Sequence, residues 1–234
     1  MPLFYSLISL SAILILMKYT AICFDLDGVI IDSESLHRAA FQSTLSNYGH
    51  ALPDGDYEKY FAGKTDAQGF ESYFAANKLR IPGSNLVATK NHIYTKLAPD
   101  ELTAYAGVPE LIKALHTEIP LALVTGSGLN ETKLALASCG IDDCFETIVT
   151  ADDVSTGKPD PEGYLLAASR VNGFTLPTNC IAVEDSPSGI TAAKSAGMYC
   201  IAITTTHSAE QLQEADSIVD HLSFDMFTKR INAR

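Results

Sequence analysis

Short apolar runs, each about the length of one buried strand, recur along the chain and alternate with segments of helical periodicity. The strand-like runs lie at 20–25, 121–125, 147–151, 180–184 and 199–203, with a weaker one at 217–219. Helical spacing of apolar residues is found between them, at 109–116, 130–139, 161–171 and 188–196. Strands that alternate with helices are typical of a parallel sheet covered on both faces. The alternation therefore predicts an α/β fold with a doubly wound parallel sheet.

One long segment, residues 35–100, departs from this alternation and shows helical patterns alone. Three apolar stripes at helical spacing run through it: Leu36, Ala40, Phe41 and Leu45; Phe70, Tyr73 and Phe74; Ile93, Tyr94 and Leu97. Such stripes are typical of the core of a helical domain. We therefore expect a helical cap at 35–100, inserted into a core made of residues 18–34 and 101–234. Its tethers, at 32–35 and 100–107, would let the cap close over a site and exclude water.

Asp25 and Asp27 stand two residues apart at the end of the first strand-like run, followed by Gly28. Side chains two apart on an extended segment point the same way, so two carboxylates here would repel unless a cation or a proton lies between them. A metal-assisted phosphoryl-transfer centre would supply that cation. One aspartate could then accept a phosphoryl group while the other moves a proton. A strand end with two solvated carboxylates is the alternative for this motif alone.

Three further motifs follow other strand-like runs. Thr125, Gly126 and Ser127 end the second run, Lys158 stands between Gly157 and Pro159 after the third, and Glu184 and Asp185 end the fourth. The carboxyl ends of parallel strands are where open α/β sheets gather ligands. In this order the four motifs closely resemble those of the haloacid dehalogenase superfamily of phosphotransferases, from residue 18 onward. Residues 32–37, 157–164 and 183–190 resemble the beta-phosphoglucomutase-like branch of sugar-phosphate phosphatases and mutases.

The resemblance implies a role for each motif. Asp25 would be the nucleophile that becomes phosphorylated, and Asp27 the general acid and base. Thr125, Gly126 and Ser127 would bind the phosphoryl group at a helix start, and Lys158 would pair with its oxygens and with Asp25. Magnesium would be the cofactor, since it prefers a sparse set of oxygen ligands with retained waters. Its predicted ligands are Asp25, Asp185, the backbone carbonyl of Asp27 and, through water, Glu184. Asp152 and Asp153 also follow a strand-like run, and we leave them out of the predicted site.

The resemblance also implies that the cap selects the substrate. His37 matches a position that faces the site, and the loop at 61–66, which contains Lys64, matches the loop that reads the substrate. Here the chain departs from the mutases, because Ala62, Asp66 and Gly128 stand where cations or a distal-phosphate ligand are expected. Leu129 is a further departure. Losing those groups favours water as the phosphoryl acceptor, although Lys64 could compensate.

The favoured function is thus a Mg²⁺-dependent phosphatase that hydrolyses a small phosphorylated metabolite, above all a sugar phosphate, through an aspartyl-phosphate. A beta-phosphoglucomutase-type isomerase is the alternative. A phospho-aspartate signalling receiver also uses acids and Mg²⁺ on a doubly wound sheet, but the cap and Asp27 argue against it.

Composition limits the partners and the compartment. The chain has 234 residues, 47% of them hydrophobic, and a net charge of -12, which disfavours nucleic acid and anionic membranes as partners. Its five cysteines follow no metal spacing and fit a reducing compartment, so we expect a cytoplasmic protein.

Residues 2–17 form an uncharged apolar leader, shorter than the roughly 20 residues of a spanning helix. A signal peptide would begin with Lys or Arg, and this segment does not. A membrane anchor would have to borrow residues from the first strand. We favour the third interpretation, in which residues 1–17 are dispensable or Met17 is the true start.

Overall fold

The computed structural model describes residues 19–62, 64–80 and 85–224, and the apolar leader at 1–17 lies outside them. Its main sheet has six parallel strands: β1 Ala21–Phe24, β4 Leu121–Val124, β5 Thr147–Val149, β6 Cys180–Glu184, β7 Tyr199–Ile203 and β8 Ser217–Val219. They lie in the order β5-β4-β1-β6-β7-β8. The order grows outward from β1 in both directions, so the sheet is doubly wound and β1 and β6 lie at its centre.

Four helices connect to strands of this sheet: α5 Val108–Leu115, which precedes β4, and α6 Leu129–Ser138, α7 Glu162–Arg170 and α8 Pro187–Ser195, which follow β4, β5 and β6. Alternate residues of β1 face opposite sides of the sheet, and both sides are buried. Ile22 and Phe24 pack into one apolar cluster with Leu123, whereas Ala21 and Cys23 pack into another with Tyr164. The predicted parallel sheet covered on both faces is confirmed.

The segment after β1 is helical, as predicted, with α1 Glu34–Ser46, α2 Asp56–Tyr60, α3 Asp66–Asn77 and α4 Leu86–Glu101. The predicted apolar stripes form the core of this segment. Phe41, Phe70 and Tyr73 share an aromatic cluster with Phe61, while Leu36 and Ala40 pack against Tyr94. The helices begin and end one residue outside the predicted cap of 35–100, and the division into domains stays a prediction.

The two tethers of the cap pair with each other, which the sequence did not indicate. Strand β2, Ile31–Asp32, runs antiparallel to β3, Thr103–Ala104, and Tyr105 donates its backbone N–H to the carbonyl of Ile30 at 3.0 Å. A two-residue ribbon thus ties the entry and exit of the cap together directly beside Asp27. Within the described part of the chain, no helix combines the length and apolar character needed to cross a membrane.

Candidate active site

The first carboxylates lie at the carboxyl end of β1, the centre of the sheet. Asp25 is buried, and its backbone N–H donates to the carbonyl of Val183 at 3.0 Å. The chain then turns at Gly28, whose φ of +79° suits glycine, and a Cβ there would lie 2.0 Å from Asp185 Oδ2. The glycine therefore allows the loop after β1 to approach the acidic loop after β6.

Lys158 joins these two loops. Its ammonium nitrogen lies 2.8 Å from Asp25 Oδ1 and 2.6 Å from Glu184 Oε1. Tyr164, on α7, is fully buried and donates its hydroxyl to the same Glu184 oxygen at 2.6 Å. The Glu184 carboxylate lies against Gly189, where a Cβ would be 2.0 Å from it, so the glycine leaves the room that this side chain occupies.

Asp25, Glu184 and Asp185 form a buried acidic triad, whose ligand oxygens all lie within 4.8 Å of one another. Burial raises the pKa of Asp25 well above its usual value; the Lys158 ammonium opposes the shift, and the Glu184 and Asp185 carboxylates add to it. Burial and the neighbouring Glu184 likewise raise the pKa of Asp185 to about 7.

These residues fit a divalent cation. Three carboxylates face one ammonium, so the ionised cluster carries excess negative charge, and hard oxygen donors are the ligands that Mg²⁺ prefers. The triad contains three of the four predicted metal ligands. The fourth, the backbone carbonyl of Asp27, stays a prediction.

Asp27 lies in a separate hydrogen-bonded group that joins core and cap. Its carboxylate accepts from Ser33, from Ser127 Oγ at 2.8 Å and from Thr125 Oγ1 at 3.5 Å, and lies 3.3 Å from His37 Nε2. Burial alone would raise the pKa of Asp27, but the hydrogen bonds from His37, Ser33 and Ser127 hold it below its usual range. The side chain is therefore a carboxylate in this state.

The predicted phosphate-binding loop lies beside Asp27, to which Thr125 and Ser127 donate hydrogen bonds. Thr125 Oγ1 accepts from the backbone N–H of Ser127 at 3.0 Å, directly before α6 begins. Thr125, Gly126 and Lys158 line one end of a cavity of about 390 Å³ between core and cap. The predicted residues Asp25, Asp27, Thr125, Ser127, Lys158 and His37 are thus brought together, although their catalytic roles stay predictions.

Lys64 lies apart from this group. Its ammonium donates to the carbonyls of Lys59 and Tyr60, at 3.3 and 3.1 Å, and so binds the end of α2. It lines a second cleft together with His207, and Lys158 and Gln68 line both this cleft and the cavity between core and cap. Asp152 and Asp153, which the prediction leaves out of the site, accept hydrogen bonds from the protein: Asp152 from the backbone of Leu129, and Asp153 from Thr150 and Arg170.

Several polar residues at this site carried no predicted role. Ser33 and Tyr164 fall within segments that resemble the family, yet only the fold shows that they contact Asp27 and Glu184. Lys90 is another: it is fully buried in the cap, 3.0 Å from Asp66 Oδ2 and 3.2 Å from Glu131 Oε1 on α6. Thr206, which hydrogen-bonds Asp185, is a fourth. These partners are 6 to 41 residues apart, so no local spacing could identify them.

Comparisons with known proteins place the same residues in a family. The family model described as Haloacid dehalogenase-like hydrolase matches residues 22–203. Validoxylamine A 7'-phosphate phosphatase of Streptomyces hygroscopicus subsp. limoneus is 33% identical over 88% of this chain and 95% of its own. Fructose-1-phosphate phosphatase YqaB of Escherichia coli is 30% identical over 79% and 96%.

A solved structure leads to the same conclusion. Beta-phosphoglucomutase from Clostridium difficile superposes with a TM-score of 0.79 at 27% identity, over 92% of this chain and 98% of its own. The chain therefore belongs to the haloacid dehalogenase-like hydrolases, in the branch that includes beta-phosphoglucomutase and sugar-phosphate phosphatases.

Proposed function

We propose that the protein is a Mg²⁺-dependent phosphatase of a sugar phosphate or similar small metabolite, and that it acts through an aspartyl-phosphate on Asp25. The observation that carries the proposal is the placement of Asp25 between a lysine and two further acids, with Asp27 held separately beside the phosphate-binding loop. Two relatives support it, one named as a validoxylamine A 7'-phosphate phosphatase and the other as a fructose-1-phosphate phosphatase.

In the first half-reaction, an Asp25 carboxylate oxygen attacks phosphorus and the bond from phosphorus to the ester oxygen breaks. Asp27 donates a proton to the departing oxygen, which leaves as an alcohol. Hydrogen bonds keep Asp27 ionised in the free enzyme, but an arriving phosphoryl anion raises its proton affinity, so Asp27 takes up this proton from solvent when the substrate binds. Lys158 and the hydroxyl of Thr125 stabilise charge on the phosphoryl oxygens.

In the second half-reaction, Asp27 accepts a proton from water as the water oxygen attacks phosphorus. The bond from phosphorus to Asp25 breaks, which releases phosphate and restores the Asp25 carboxylate, and Asp27 then returns its proton to solvent. His37 and Ser33, both bonded to Asp27, hold it in place through the two steps. A bound Mg²⁺, held by the acidic triad, would offset the charge that accumulates between Asp25 and the phosphoryl group.

Water is the acceptor that this site favours. A mutase has to bind the second phosphate of its sugar bisphosphate, and Asp66 places a carboxylate on the cavity wall where the mutase pattern has a cation. Lys64, which could have compensated, is bonded to backbone carbonyls at the end of α2. We further propose that the enzyme works in the cytoplasm, where its five free cysteines would stay reduced.

The test compares phosphate release with isomerisation. We expect phosphate release from a panel of sugar monophosphates when Mg²⁺ is present, and its loss when EDTA removes the metal. With beta-glucose 1-phosphate and glucose 1,6-bisphosphate, phosphate should form faster than glucose 6-phosphate. Isomerisation that greatly outruns phosphate release would show that the protein is a mutase.

A further inference from the structure

The cavity between core and cap borders the reaction centre, with which it shares three lining residues. One end is lined by Thr125, Gly126 and Lys158, and the cap contributes Asp66, Gln68 and Asn91. If the proposed function holds, a phosphoryl group bound at Lys158 leaves the rest of the substrate in this space. The side chains along its wall therefore face the alcohol part of the substrate.

The charged groups on that wall are almost all acidic. Of the described residues that line the cavity, the charged ones are Asp66, Asp152, Asp160 and Lys158. Lys158 is already held by Asp25 and Glu184 at the phosphoryl end. No lining residue in the described part of the chain therefore offers a free cation to a second anionic group.

The nearest buried cation, Lys90, is also fully engaged. Its ammonium lies between Asp66 and Glu131, at 3.0 and 3.2 Å, and its side chain has no exposed surface. The Asn91 amide, oriented so that its nitrogen donates, lies 3.0 Å from Asp66 Oδ2 and from Glu131 Oε1. This arrangement fixes the Asp66 carboxylate at the wall and prevents Lys90 from reaching a ligand.

Such a wall discriminates by charge. A carboxylate or phosphate on the alcohol would lose its water and meet Asp66 without a compensating cation, which is unfavourable. Hydroxyl groups, by contrast, can donate to the carboxylate and bond to the side chain of Gln68. A protonated amine gains from the same negative charge.

We propose that the alcohol part of the substrate is a polyhydroxyl group without a second anionic substituent, and that a protonated amine on it improves turnover. This proposal rests on the proposed function, since it assigns the substrate class of that same site. It excludes sugar bisphosphates and phosphorylated sugar acids as good substrates. The carboxylate of Asp66 is the specificity-determining group.

The experiment uses substrate pairs that differ at one position. Glucitol 6-phosphate and 6-phosphogluconate differ by a carboxylate, and glucose 6-phosphate and glucosamine 6-phosphate by an amine. With the full-length enzyme and Mg²⁺, we expect kcat/KM to be at least tenfold higher for glucitol 6-phosphate than for its acid, and higher for the amine than for its hydroxyl partner. Added salt should reduce both differences in kcat/KM, because it screens the charge of Asp66.

Asp66→Asn should reduce the kcat/KM ratio of each substrate pair several-fold. The substitution removes the charge of Asp66 and leaves Lys90 paired with Glu131. The matched control is Asp54→Asn, an exposed residue outside the cavity, which should leave the ratios unchanged. Equal turnover of the acid and the neutral substrate by the wild-type enzyme would overturn the proposal, and this comparison needs no variant to fold. Unchanged kcat/KM ratios in a folded Asp66→Asn variant would also overturn the proposal.

A separate assay distinguishes a wrong substrate class from a wrong proposed function. Hydrolysis of p-nitrophenyl phosphate with Mg²⁺ reports phosphatase chemistry without any sugar. If that reporter is hydrolysed but the pairs show no preference, only the substrate class is wrong. If neither the reporter nor any sugar phosphate releases phosphate, both proposals are wrong.

Discussion

At the residue scale, the hydroxyl of Tyr164 and the ammonium of Lys158 bind the same Glu184 oxygen, both at 2.6 Å. A buried carboxylate that is bonded twice on one atom has a fixed orientation, and so has the lysine beside it. Tyr164 therefore acts on the centre through Glu184, as a positioning residue.

Tyr164→Phe tests this role, because it removes only the hydroxyl and keeps the ring near Lys158. Loss of a group that orients a metal site commonly costs about 10-fold or more in metal affinity or activity. We expect the Mg²⁺ activation curve to shift to higher concentration and kcat to fall, while the fold persists. Tyr48→Phe, at a residue 37% exposed, is the control. An unchanged Mg²⁺ curve would leave Tyr164 with a packing role alone.

Asp185 makes stability depend on pH when metal is absent. Its pKa of about 7 in the fold lies above the roughly 3.9 of an unfolded aspartate, so between these values the folded state binds more protons. The contribution of Asp185 to the free energy of unfolding is present at low pH and is lost as pH rises towards 7. We therefore expect the Tm in EDTA to fall between pH 5 and pH 8, and Mg²⁺ to raise it most at pH 8.

Asp185→Asn is the control for that prediction, because an amide does not titrate. Its Tm in EDTA should vary less with pH than that of the wild-type protein, and Mg²⁺ should raise it little. If both proteins show the same pH profile, the buried acid does not govern it.

At the scale of elements, a buried ion cluster joins the cap to the core. Lys90 on α4 pairs with Asp66, the first residue of α3, and with Glu131 on α6, the helix that follows the phosphate-binding loop. The contact between cap and core thus holds charges of both signs together inside the protein.

Lys90→Met should be strongly destabilising, since it leaves the buried Glu131 and the partly buried Asp66 without their cation. Breaking a buried pair typically costs about 3–5 kcal/mol, whereas an exposed pair is worth about 1 kcal/mol or less. Arg38→Gln, which removes the exposed pair between Arg38 and Glu58, is therefore the control. Urea unfolding measures both free energies, and equal losses would contradict a structural role for the cluster.

The elements also show how far sequence reasoning reaches. Each strand of the main sheet was predicted to within two residues at either end, because buried parallel strands are continuous apolar runs that end at polar motifs. The ribbon of β2 and β3 was missed, since two-residue strands have no periodicity to detect. The short helix α2 was missed for the same reason.

At the scale of the whole molecule, the doubly wound sheet explains why the motifs were predictable and their contacts were not. Residues at the carboxyl ends of β1, β4 and β6 must meet, so Asp25, Thr125 and Glu184 could be assigned to one site from their order alone. The partners of those residues, such as Tyr164, depend on how helices pack on the sheet. That packing is a tertiary property which no single segment encodes.

The central claim is that Asp25 carries the phosphoryl group during turnover. The most direct measurement is an acid quench during steady-state hydrolysis of a sugar phosphate with Mg²⁺, followed by mass spectrometry of the peptide that contains Asp25. We predict that this peptide gains one phosphoryl group, and that Asp25→Asn neither gains it nor turns over substrate. Phosphate release without label on Asp25, or more than about a tenth of wild-type activity in Asp25→Asn, where loss of a nucleophile normally costs orders of magnitude, would contradict the account.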